Sequence, residues 1–297
     1  MLADVLGLYL LPGVSALLPW RVGYALLKRA ARVEWFHREV TDAAWRAARQ
    51  VDGEWDEVAW KTGFRLLRMV DHADSYLTIL RSGGWWRSRI DVDGTWPAPT
   101  DRGHLFLTYH WGAGHWIWRL LRARGFEAAF LARRVEGRDL GATRLSHWYA
   151  RFRAWALSRI GSRGAIFTGQ STGVVRDALA SGTSIVGMLD LPASARQRTV
   201  RVQLLGRAAD LPAGLVHIAV DAGCAVTVFS AGLDLATGRR RLHLELAPPG
   251  CGVAEIMNLY ASHLDTCLRA RPEFWQLWCV APALFAPHAD AEARQAL

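Results

Sequence analysis

The sequence predicts an α/β fold: a mixed central sheet flanked by helices on both faces, preceded by a helical N-terminal region. Three observations lead there. From about residue 100 onward, short apolar runs of strand length alternate with segments of helical period, the pattern of a sheet with helices packed over it. Before residue 90, apolar residues recur at helical spacing, as in Phe64, Leu67, Met69, Val70, Tyr76, Leu77 and Leu80. No internal repeat, low-complexity segment or linker-like stretch divides the 297 residues. One domain over 1–297 is therefore expected, with residues 1–90 helical and residues 100–285 forming the α/β core.

The first element is an uncharged run over residues 5–20, short for a membrane span and interrupted by Pro12 and Pro19. Asp4 precedes it while Arg21, Lys28, Arg29 and Arg32 follow, the reverse of a signal peptide's charge order. An interfacial or re-entrant helix pair, associating with a membrane surface, fits this run better than a span does. Gly83-Gly84 ends the helical stretch and Trp96-Pro97-Ala98-Pro99 marks a turn. A short apolar strand follows over 104–110, then a helix over 112–124, a strand over 128–131 and a basic amphipathic helix over 145–160. A strand over 165–168, a helix over 172–180 and a buried strand over 184–189 come next. The last elements are a strand over 200–205, a helix over 214–222, strands over 225–229 and 240–246, and a closing helix over 254–269.

The composition, 51% hydrophobic and 21% charged, is that of a globular chain rather than a disordered one. The net charge is +9, and arginine supplies nearly all of the positive charge because Lys28 and Lys61 are the only lysines. GC-rich coding accounts equally well for the Arg-to-Lys ratio but not for the sign of the net charge. A basic surface seeks anionic partners: phospholipid head groups, an acidic carrier protein or nucleic acid. The 15 tryptophans lean towards a lipid interface, although many of them must be core. No nucleic-acid-binding motif or aromatic ladder is present, so no nucleic acid is expected as a partner. Cys224, Cys251, Cys267 and Cys279 form no CxxC pair and no metal-ligand spacing, and read as reduced, buried thiols of a cytoplasmic protein.

The most informative stretch is Leu107-Thr-Tyr-His110-Trp-Gly112-Ala-Gly114-His115-Trp116. A histidine at the C-terminal end of a strand, beside a glycine-rich helix start, sits where α/β folds place ligands. Glycines there let a substrate approach the backbone, and free helix N–H groups face developing negative charge. A lone histidine is more often structural than catalytic. His110 and His115 do not read as a metal site: five residues on a helix turn about 140° away from the same face.

This stretch resembles the HX4D/E motif of the glycerolipid and lipid A acyltransferases, in the form carried by the late acyltransferases of lipid A biosynthesis (the lauroyl/myristoyl type of the lysophospholipid acyltransferase superfamily). The likeness extends to Arg133, 23 positions after His110, and to residues 182–192 (GTSIVGMLDLP) with Asp190 as the acid. It continues through Leu205-Gly206-Arg-Ala-Ala-Asp-Leu-Pro-Ala-Gly214 and Arg271-Pro-Glu273-Phe-Trp275-Gln-Leu-Trp278, in shared order over roughly residues 1–285. The resemblance implies a membrane-associated acyltransferase at the cytoplasmic face of the cell inner membrane. It would move an acyl group from a thioester on acyl carrier protein or coenzyme A to a hydroxyl or amine of a lipid or specialised-metabolite acceptor. His110 would be the general base, with His115, Asp190 and Arg133 completing the catalytic set. Gly112, Gly114, Arg134 and Gly206 would bind substrate. No metal or organic cofactor is implied.

The chain departs from the family where the motif's Asp or Glu should stand: that position is His115. A neutral histidine accepts the same hydrogen bond without bringing negative charge. Three consequences stay open on sequence alone: another carboxylate such as Asp190 serves His110, the acceptor needs less base assistance, or the chain is an inactive binding or scaffold subunit of a lipid or polyketide-like pathway. The arginines crowding residues 119–163 read mostly as a solvated face, with Arg133 expected to meet a phosphate or the thioester oxyanion.

Overall fold

The computed structural model describes residues 5–51, 54–132, 144–160, 163–167, 172–194 and 197–285. Its centre is a seven-stranded mixed sheet in the order β1-β9-β8-β2-β5-β3-β4. These strands are β1 (Ile90–Asp93), β2 (Leu105–Thr108), β3 (Ala128–Ala132), β4 (Ala165–Phe167), β5 (Ser184–Met188), β8 (Val226–Leu233) and β9 (Arg240–Leu246). All neighbours run parallel except β8 and β9, which are antiparallel. Strands β2 and β8 are buried along their whole length, as parallel strands covered on both faces must be. Alternation along β2 sends Leu105, Leu107 and Tyr109 into one apolar cluster and Phe106 into another.

The first cluster is covered by α9 (Thr172–Ala180), α10 (Gly214–Asp221) and α11 (Val253–Ala270). The second lies under α3 (Trp20–Ala31), α5 (Glu57–Leu80) and α7 (Ile117–Ala123). Helix α5 starts at Asp56, whose carboxylate accepts the Ala59 N–H at 2.6 Å. It carries apolar residues to both clusters, from Trp60 and Phe64 to Leu67, Val70 and Leu77. Its polar residues Asp71 and Asp74 are buried too. Asp74 pairs with the Arg240 guanidinium, which is 1% exposed and stacks 4.3 Å from the ring centre of Trp20.

The remaining helices are α1 (Val5–Leu10, wound as a π-helix), α2 (Leu11–Leu17), α4 (Arg38–Val51), α6 (Gly83–Arg87), α8 (Arg144–Ile160) and α12 (Ala281–Leu284). Helices α2 and α3 fold back on each other at Leu18-Pro19, and they approach so closely that a Cβ on Gly23 would sit 2.1 Å from the Ser15 carbonyl oxygen. The N-terminal region is thus helical, as its periodicity predicts. No helix of the described residues is long and apolar enough to cross a membrane.

The structure differs from the sequence reading in three places. The helix expected over 112–124 begins only at Ile117, because Trp111 and Gly112 make sheet-like bridges to Trp275 and Ala231 instead. Between the Gly83-Gly84 stop and the turn at 96–99, where no strand is expected, β1 forms an edge strand held by β9. Where one strand is expected over 200–205 there are two: β6 (Thr199–Leu204) and β7 (Arg207–Pro212) form an antiparallel hairpin. Its two-residue turn, Leu205-Gly206, has positive φ at both positions, 52° and 73°, as a type I′ turn requires.

Candidate active site

Strands β2 and β5 are parallel and in register, with Thr108 opposite Met188. Two residues further along each strand stand His110 and Asp190, so the sheet itself carries them to the same place at its C-terminal edge. The Asp190 side chain is fully buried, while that of His110 is 31% exposed. One carboxylate oxygen accepts the His110 Nδ1–H at 2.9 Å. The other accepts the His110 backbone N–H at 2.8 Å and the Trp275 Nε1–H at 2.9 Å. With Nδ1 committed to Asp190, Nε2 is the ring nitrogen left to take a proton. Burial pulls the His110 pKa down, but the charge of Asp190 and its hydrogen bond outweigh this, and the net shift is upward.

The surrounding backbone is tied down by side chains that the sequence reading did not single out. The Tyr260 hydroxyl accepts the Leu189 N–H and donates to the Thr108 carbonyl, both at 2.9 Å, and so bridges the two strands just before the pair. The Gln276 backbone N–H donates to the His110 carbonyl at 2.8 Å, and its side-chain amide to the Gly112 carbonyl at 2.8 Å. The 271–278 segment, noticed only as part of a resemblance, therefore lies across the motif and supplies Trp275 to the buried carboxylate.

A cavity of about 210 Å³ opens beside His110. Its apolar walls come from Trp118, Phe130, Leu157, Val186, Met188 and Phe229, and its polar wall includes His115, Arg153 and Asp71. Gly112 and Gly114 line it as expected. Gly112 owes its identity to the backbone, however. Its φ is +83°, and a Cβ there would sit 1.9 Å from the Ala231 carbonyl oxygen. The amides foreseen as oxyanion donors are partly spent: the Gly112 N–H donates to Phe274 O at 2.9 Å and the Ala113 N–H to Ala231 O at 3.0 Å.

His115 lines the same cavity but does not hydrogen-bond His110. Its Nε2 is hydrogen-bonded to the Arg153 guanidinium and its Nδ1 lies 3.4 Å from Ser75 Oγ. Burial, then Arg153, pushes its pKa down to about 3, so it is a neutral acceptor for Arg153 rather than a partner of the base. Arg153 also meets Asp71 at 2.7 Å. It comes from the basic helix read as a mostly solvated face; the signal that could have singled it out is Asp71, a carboxylate between the core positions Val70 and Ala73 of α5. Gly206 is not at the cavity, since it turns the β6–β7 hairpin, and its glycine follows from the turn's positive φ. Arg133 and Arg134 lie outside the described residues.

The lining holds His110, with its partner Asp190 buried behind it, and no serine, cysteine or lysine among the described residues. Such a site activates a nucleophile that the substrate brings. A larger groove of about 920 Å³ lies elsewhere, among Lys28, Arg38, Asp42, Glu57 and Lys61. Asp42 and Glu57 there are already paired with Lys61 at 2.7 Å. Compared with known proteins, the chain matches no family model and no curated relative, so the functional reading stands on this geometry and on the sequence motifs.

Proposed function

We propose that the chain is an acyltransferase that moves an acyl group from a thioester to a hydroxyl or amine. The observation that carries the reading is the pairing of His110 with the buried Asp190 at a largely apolar cavity whose described lining has no serine, cysteine or lysine. The Nε2 of His110 takes the proton of the acceptor as its oxygen or nitrogen attacks the thioester carbonyl. As the C–S bond breaks, the imidazolium returns that proton to the departing thiolate. Asp190 stays ionised and holds the ring in the tautomer that leaves Nε2 free. Arg153 is the described cation at the cavity that suits the carbonyl oxygen as it gains charge, the role the sequence reading gave to Arg133. The apolar walls suit an acyl chain.

An acyl carrier protein or coenzyme A as donor, a lipid or specialised-metabolite acceptor, and work at the anionic cytoplasmic face of the inner membrane belong to the same proposal. Helix α8, which lends Arg153 and Leu157 to the cavity, also exposes Trp148 and Trp155, each beneath an arginine: Arg151 at 5.6 Å and Arg159 at 5.2 Å. It adjoins α1, where Tyr9 meets Tyr149 at 5.5 Å and Leu10 is exposed. Aromatic, aliphatic and arginine side chains on one exposed region suit a headgroup layer.

The experiment is product identification. Purified protein is incubated with radiolabelled acyl-carrier protein or acyl-coenzyme A and a membrane lipid extract. A labelled lipid or small-molecule acyl product supports the proposal, and no product with either donor favours the binding-subunit reading.

A further inference from the structure

We propose that His243, Glu245 and His263 form a binding site for a divalent transition-metal ion, zinc foremost, joining β9 to α11 away from the cavity. His243 and Glu245 are two apart on β9, so the pleat puts them on one face of the sheet. His263 comes from α11. One ligand atom from each of the three lies within 4.8 Å of the other two, and the imidazole rings are 5.0 Å apart.

The hydrogen bonds around the two rings decide which nitrogens are free. The Tyr109 hydroxyl donates its proton to the Tyr260 carbonyl at 2.9 Å. Its oxygen can therefore only accept from His263 Nδ1, 3.0 Å away, and Nδ1 must carry the ring hydrogen. His263 Nε2 is left as a bare lone pair; it is buried without a partner in a residue only 7% exposed. Buried acceptors are seldom left so. On the strand, His243 Nδ1 lies 2.8 Å from the Asp93 carboxylate, which requires its hydrogen on Nδ1 and leaves Nε2 free as well. Each ring is thus oriented by an outer partner, a carboxylate for one and a hydroxyl for the other, the arrangement that fixes metal-binding histidines.

Two imidazole nitrogens and one carboxylate, with a fourth position for water, suit tetrahedral zinc. They do not suit calcium or magnesium, which take oxygen ligands. An ion there would clamp β9 to α11 and brace Tyr109, the residue before His110. The site is independent of the acyl-transfer reading.

The test uses the full-length chain without a histidine tag, stripped with chelator and titrated with Co²⁺ by visible absorption and with Zn²⁺ by calorimetry. One equivalent of each metal is expected, with the intense d–d bands of a tetrahedral cobalt site. His243→Ala and Glu245→Gln, both at the surface and so safe for folding, should abolish or sharply weaken that uptake, and Asp93→Asn should weaken it roughly 10- to 100-fold. No uptake by the wild-type chain, or uptake that neither His243→Ala nor Glu245→Gln diminishes, overturns the proposal.

Discussion

At the scale of single residues, Asp190 decides what His110 can do. It is fully buried, accepts three hydrogen bonds, and two of the three donors belong to His110. Replacing it by asparagine keeps the shape but removes the charge that raises the imidazole pKa. The sign follows directly. A base must be neutral to work, so the acidic limb of the rate profile tracks the His110 pKa, and Asp190→Asn should shift that limb to lower pH. The imidazolium formed during transfer also loses its counter-charge, so kcat should fall by about 10²- to 10⁴-fold. A rate profile of the two proteins over the range from pH 5 to 9 checks both. An unmoved limb with a full rate would mean that Asp190 is structural.

At the scale of elements, the juxtaposition of His110 and Asp190 is a matter of register, and register was not legible in the sequence. Strand β2, strand β5 and each residue could be read separately, but nothing local says that the strands are parallel neighbours with Thr108 facing Met188. The same limit hid Arg153, whose burial depends on α8 packing over α5. Helix 172–180 and strand 240–246 were legible to the residue because their apolar periods are uninterrupted. Strand β7 escaped because Asp210 and Pro212 look like turn chemistry until β6 pairs with them. Helix α5 and strand β9 are also joined by the buried Asp74–Arg240 pair. Asp74→Ala would leave the Arg240 guanidinium buried without its counter-charge between Trp20 and Trp86. A loss of ~3–5 kcal/mol in unfolding free energy is expected. Denaturant titration measures it, and a change under 1 kcal/mol, order-of-magnitude, would show that the pair is not a structural anchor.

At the scale of the whole molecule, several histidines are held neutral by burial. Burial pushes His104 from its ordinary 6.5 down to about 4; His37, under burial and then Arg68, and His115, under burial and then Arg153, fall to about 3. Below pH 6.5 the unfolded chain protonates these rings and the native chain does not, so stability falls as the pH drops towards 4. Each ring contributes a slope of up to about 1.4 kcal/mol per pH unit in that window. His110, shifted upward, works the other way: its contribution is complete below its unfolded pKa and is lost as pH rises through the folded one. With His72 and His263 also lowered by burial, five depressed rings against one raised ring predict a melting temperature that declines between pH 6.5 and 4, and a flat profile there would contradict the buried, neutral assignment.

The measurement that bears most directly on the central claim is thiol release from an acyl thioester by the wild-type chain and by His110→Ala, with the acceptor extract present and absent. The account predicts acceptor-dependent release by the wild type and a loss of about 10²-fold or more in the variant, with its fold intact by circular dichroism. Equal release by the two proteins would contradict the assignment of His110 as the base.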